Sequence, residues 1–161
     1  MNIRHATMAD LDTVVAIEAA SYPPAEGADR ESLRSRIAVY PDCFWLLEND
    51  EGNVCAFIDG FCTDIPDLTD EMYADTAMHD PHGAWQMIFS VVTAPGERKK
   101  GYASQCMRQV LADARARGQK GVVLTCKQAL LPFYAGFGFV EEGVSSSTHG
   151  GAVWYKMRCT F

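Results

Sequence analysis

The chain is 161 residues long, 48% apolar, 11% aromatic and 22% charged, which excludes a disordered tail, a collagen-like fibre or a low-complexity linker. At that length a single domain over residues 1–161 with a sizeable core is expected. With 21 acids against 14 bases the formal charge is −7, so nucleic-acid phosphates and anionic membranes are repelled and neither is an expected partner.

A strand is predicted at Ile3 to His5, followed by Thr7 as a helix cap with Asp10 three residues on, opening a helix to about Ala20. Pro23 and Pro24 must end that helix, because each removes a backbone donor and fixes φ. Asp29 caps a second helix with Leu33, Ile37 and Tyr40 on one face, stopped before Pro41. A hairpin of Cys43–Glu48 and Val54–Thr63 is joined by the turn residues 49–53. Residues 64–84 hold six acids and no Lys or Arg, an insertion long enough to suggest function. Trp85 to Thr93 reads as a central strand.

After Gly101, the residues Ala103, Cys106, Met107, Val110, Leu111 and Ala114 form one apolar helical stripe that Gly118 terminates. A buried-type strand at Gly121–Cys126, a short helix over Leu131–Gly136, and strands at Phe139–Val144 and Val153–Cys159 complete the order. The expected class is α/β: a single mixed, mostly antiparallel sheet with helices on its faces. No Cys-x-x-Cys pair occurs among the six cysteines, so they read as small buried apolar residues, with no metal expected. No apolar run reaches the roughly 20 residues of a membrane span. The N-terminus lacks a secretion signal's apolar stretch, so a soluble, cytoplasmic protein is expected.

One junction concentrates chemistry. The strand ending Val91-Val92-Thr93 leads through Arg98-Lys99-Lys100-Gly101 into the strongest helix, at Tyr102-Ala103-Ser104. The first turn of a helix carries unpaired N–H groups and the positive end of its dipole, and small residues let an anion approach them. Neither a P-loop nor a dinucleotide fingerprint fits this spacing. Spacing alone leaves two readings open, a pyrophosphate cradle or a solvated basic turn ahead of a helix cap.

Arg98-Lys99-Lys100-Gly101-Tyr102-Ala103 resembles the Arg/Gln-x-x-Gly-x-Gly/Ala motif of the GCN5-related N-acetyltransferases. Leu131-Pro132-Phe133-Tyr134-Ala135-Gly136-Phe137-Gly138-Phe139 is similar to that family's short helix and following strand. Within the family, Tyr22-Pro23-Pro24, Val54 to Gly60, Asp80-Pro81-His82-Gly83 and Ala129 to Tyr134 look most like the arylalkylamine N-acetyltransferases.

The resemblance implies acetyl-CoA as donor, CoA as product, and direct attack by a small aryl- or alkylamine in a ternary complex. It implies that Arg98, Lys99, Lys100, Gly101, Tyr102, Ala103 and Ser104 hold the pyrophosphate. Val91, Val92 and Thr93 would pair with the pantetheine arm, and the Val91 amide would polarise the thioester carbonyl. Tyr134 would protonate the departing thiolate, although a core aromatic on a short helix is the plainer reading of that residue. Tyr22, Pro23 and Phe89 would line the amine pocket. Met87 and Phe89 stand where animal relatives carry two histidines, so the base is expected elsewhere: His82, His79 or an ordered water. Two further readings remain, a non-catalytic acyl-CoA-binding module and a protein or peptide amine acetyltransferase.

Overall fold

Local capping starts both N-terminal helices. The computed structural model describes residues 1–147 and 149–161. The Asp10 carboxylate accepts from the Thr7 amide at 2.8 Å, as expected, and also holds Arg4. A single 3-10 turn at Met8–Asp10 precedes helix α1, Leu11–Ser21. Asp29 accepts from the Ser32 amide at 2.8 Å and opens α2, Arg30–Val39. Segment 64–84 is held in two 3-10 turns, Asp70–Tyr73 and Thr76–Met78.

The strands are mostly antiparallel, as expected, but the single sheet expected is divided into two hydrogen-bonded sheets, or ladders, of which one is mixed. The first has the order β1–β2–β3–β6, made of Asn2–His5, Phe44–Glu48, Val54–Asp59 and Ser90–Thr93, all antiparallel. The second has the order β4–β5–β7–β9–β8, made of Cys62–Thr63, Trp85–Met87, Gly121–Cys126, Tyr155–Thr160 and Val140–Val144. Only its β5–β7 pair is parallel.

Two runs expected as single strands are therefore each divided, 54–63 into β3 and β4, and 85–93 into β5 and β6. The cause lies in the register. Cys62 pairs with Gln86 and Thr63 with Trp85, but Asp59 pairs with Ser90 and Ile58 with Val91. The later strand thus holds one extra residue, a β-bulge at Phe89 that kinks the chain and raises its twist. Gly60 sits opposite, where an added Cβ would lie 1.7 Å from the Met87 carbonyl oxygen, so only glycine permits this approach. Ile88 still donates to Val123 at 2.9 Å, but beyond it β6 stays with β3 and parts from β7. A wedge-shaped opening results between the two ladders.

Helix α3, Tyr102–Ala116, packs across the strands through the expected stripe, burying Cys106, Met107, Val110 and Ala114. Fully burying an aliphatic side chain of this kind contributes about 1.5–3 kcal/mol. Gly118 ends that helix with φ of +74°. The short helix α4, Leu131–Ala135, follows β7 and closes the wedge. All six cysteines are free and buried. No helix among the described residues is long and apolar enough to cross a membrane.

Candidate active site

The donor side is built from main chain. In an antiparallel ladder, alternate residues exchange both hydrogen bonds with their partners. Ala94 donates to Cys55 at 2.8 Å, which together with the register makes Phe57–Val92 and Asp59–Ser90 the bonded pairs. The N–H and C=O of Val91 and Thr93 therefore face the wedge. Val92 is the exception to the expected row: its main chain belongs to β3, and its side chain is buried with Leu11 and Val14.

At the mouth of the wedge the loop turns through left-handed Gly96, Lys99 and Gly101, with φ of +83°, +63° and +81°. No atom lies within 4 Å of the place a Gly101 Cβ would take. The first bond of α3 runs from the Gln105 amide to the Gly101 carbonyl at 3.1 Å. The amides of Tyr102, Ala103 and Ser104 are thus left without partners inside the helix. A cavity of about 280 Å³ lies against them, lined also by Thr93, Glu97, Lys99 and Phe133. Its open floor, free donors and positive dipole end fit the diphosphate of CoA. Arg98, Lys99 and Lys100 are exposed around it, with Lys100 held by Glu97 at 2.9 Å. Arg98 and Lys100 stand outside the cavity lining.

The acceptor side is built from side chains. A cavity of about 440 Å³ lies between α1, α2, β6, β7 and α4. Tyr22, Tyr73, Phe89, Tyr134 and Trp154 supply aromatic walls, and Pro23 lines its rim. Its acids are Glu18, Glu26, Asp29 and Asp70, while its two bases are paired, Lys127 with Glu26 and Arg36 with Asp59. Tyr22 donates its hydroxyl to the Val91 carbonyl at 3.1 Å. Tyr134 is buried at the inner end of the cavity, and burial holds its phenol well above the ordinary tyrosine range.

The model of the acetyltransferase (GNAT) family matches residues 11–139. The chain belongs to that family. A serotonin N-acetyltransferase of Mesocricetus auratus is 29% identical over 112 residues, covering 69% of this chain and 53% of that protein. The chain thus spans about half the length of that curated relative. Among solved structures, a GphF GNAT-like decarboxylase in complex with isobutyryl-CoA superposes with a TM-score of 0.86 at 22% identity, covering 99% of both chains. Naa20 of Chaetomium thermophilum, in complex with a bisubstrate analogue, gives 0.74 at 21% identity, covering 100% of this chain and 87% of that one. At these identities the likeness is one of fold. The acyl-CoA bound in the first of these structures is consistent with acetyl-CoA as the cosubstrate expected from the sequence.

Neither histidine expected as a base candidate lines the larger cavity. His82 is exposed in the turn before β5, outside the cavity lining, its amide bonded to Asp80 at 2.9 Å. His79 accepts from the Cys62 amide at 3.1 Å and packs on Tyr40, also away from the cavity. Met87 is fully buried in the core, as its apolar chemistry requires.

Of the six acids in 64–84, Asp70 alone reaches the cavity; Asp64 accepts from the Ala84 amide across the segment, Asp75 caps a 3-10 turn, and Asp67 pairs with Lys156 and Arg158. Sequence reasoning passed over Glu18, Asp59 and Arg36, which are 2%, 0% and 2% exposed. Each had a signal. Leu11, Val14 and Glu18 share one helical face, as do Leu33, Arg36 and Tyr40, and Asp59 stands inside an apolar strand.

Proposed function

We propose that this chain transfers the acetyl group of acetyl-CoA to a small primary amine, aryl- or alkyl-, by direct attack within a ternary complex. The observation that carries this reading is that the main-chain wedge and the acid-lined aromatic cavity meet at Val91 and Tyr134.

The amides of Tyr102, Ala103 and Ser104 would hold the diphosphate, with Arg98, Lys99 and Lys100 adding positive field. Thr93 and Val91 would pair with the pantetheine arm through their outward main-chain groups. The Val91 N–H is then a fixed donor to the carbonyl oxygen as negative charge develops there. An ammonium is drawn by the cavity's carboxylates, and an aryl group packs against Phe89, Tyr73 and Trp154.

When the C–N bond has formed and the C–S bond breaks, the departing sulfur needs a proton. Tyr134 can donate one: burial keeps its phenol protonated, and a thiolate leaving beside it is desolvated as well, which strengthens their hydrogen bond. Holding both reactants in one cleft removes much of the entropic barrier to aminolysis.

Thiol release from acetyl-CoA over a panel of amines tests the reading. Aryl- and alkylamines should turn over, and Tyr134→Phe should lower kcat about 10²- to 10³-fold with CoA affinity unchanged. Turnover confined to amino acids or protein N-termini would end the small-amine version.

A further inference from the structure

We infer that Glu18 is the group that takes the proton from the acceptor ammonium, and that the buried Glu18–Asp59–Arg36 cluster is built one cation short to receive that ammonium. This rests on the transferase reading above.

Two carboxylates and one guanidinium are buried behind the acceptor cavity. Arg36 donates to Asp59 Oδ1 at 3.0 Å and to the Tyr73 carbonyl at 2.9 Å, and lies over the Phe89 ring at 5.0 Å. That ion pair is electrically complete. Glu18 is the remainder. Its Oε1 accepts from the Ala28 amide at 3.1 Å and from Ser90 Oγ at 3.2 Å. Its Oε2 has no hydrogen-bond partner among the described residues. The Glu18 side chain lines the same cavity as Val91 and Tyr134.

A buried carboxylate without a counter-ion either binds a proton or waits for a cation, because isolated charge is costly to hold away from water. The ionisable groups that act on Glu18 are Asp59 of β3, Arg36 of α2 and Tyr22 at the end of α1, while Tyr73, Tyr134, Glu26, Asp29, Asp70 and Lys127 line the same cavity. Burial, then the Asp59 charge, push Glu18 up to about 7 against the opposing pull of the Ala28 amide, Arg36 and Ser90. A carboxylate in that range accepts protons at physiological pH. A free alkylammonium titrates near about 10.4, and leaving water for an aromatic-walled cavity brings it down toward Glu18.

The proton balance closes. The ammonium gives a proton to Glu18, and the freed lone pair attacks the acetyl carbon. The C–S bond breaks as Tyr134 protonates the sulfur, and the phenol is restored by the second proton leaving the nitrogen. Glu18 then releases its proton to water, so each turnover yields amide, CoA thiol and one proton.

The test is the pH profile of kcat/KM for phenethylamine acetylation, followed by thiol release, for the wild type, Glu18→Gln and Ser90→Ala. The wild type should rise with unit slope to a break near 7 and fall again only as the free amine loses its own proton. Glu18→Gln should lose the break and about 10²-fold of the rate at pH 8 while binding acetyl-CoA as before. Ser90→Ala removes a donor that steadies the carboxylate, so the break should move to higher pH. A Glu18→Gln enzyme that keeps both the break and its rate within threefold, or a break unmoved in Ser90→Ala, overturns the assignment. A wild type that binds acetyl-CoA and acetylates no amine at any pH overturns the transferase reading itself, a separate outcome.

Discussion

The donor and acceptor halves of this cleft are made by different means. The proposed donor half is one continuous stretch from Val91 to Ser104, and it offers main-chain groups that a strand end and a helix start leave over. The proposed acceptor half gathers side chains from α1, α2, β7, the 64–84 segment and α4, and each matters for its own chemistry. Substitutions should therefore damage the two halves unequally.

The largest effect is expected from Arg36→Ala, which leaves Asp59 buried without its partner. A loss of about 3–5 kcal/mol in urea unfolding is expected, as for other broken buried pairs. Next comes Glu18 as a source of pH-dependent stability. Unfolded it titrates near 4.5 and folded near 7, so the unfolded chain ionises first as pH rises. Stability should fall between those values by about 3 kcal/mol and level above them, and Glu18→Gln should flatten that limb. The smallest effect belongs to the donor half. Lys99 occupies a left-handed conformation that costs an ordinary residue about 1–2 kcal/mol. Lys99→Gly should therefore be neutral or stabilising by under about 1 kcal/mol, with CoA affinity reduced only as far as one surface charge accounts for. If Lys99→Gly abolishes CoA binding in calorimetry, the contrast between the two halves fails.

The same contrast explains what could be read in the amino-acid order. The open helix start at Gly101 to Ser104 was legible because helix starts expose amides whatever surrounds them, while spacing alone left both a pyrophosphate cradle and a solvated basic turn as readings of it. The elements 102–116 and 121–126 were legible from their periodicity. The Phe89 bulge was not, because 85–93 is mostly apolar and one extra residue leaves no mark until the strand meets its partner. Nor was the charged cluster. Glu18, Arg36 and Asp59 each read as an ordinary polar residue on its own element, and only the packing of α1 and α2 on β3 and β6 brings them together. Of the base candidates the sequence offered, His82 lies in a turn and His79 in a core contact, which leaves the ordered water.

The parting of the ladders at Ile88 also bears on which strand edges of this chain are open to another strand. Open strand edges invite other chains to add to them, and the outward-facing ones here are blunted. Strand β1 carries Arg4, tied to Asp10 and Glu48; β4 is two residues long; β8 bears Glu141 and Glu142 with an irregular register. The fourth edge, β6, faces inward, between α4 and the end of α1. Its Val91 carbonyl is already taken by the Tyr22 hydroxyl, so this edge offers fewer open peptide groups than its length suggests.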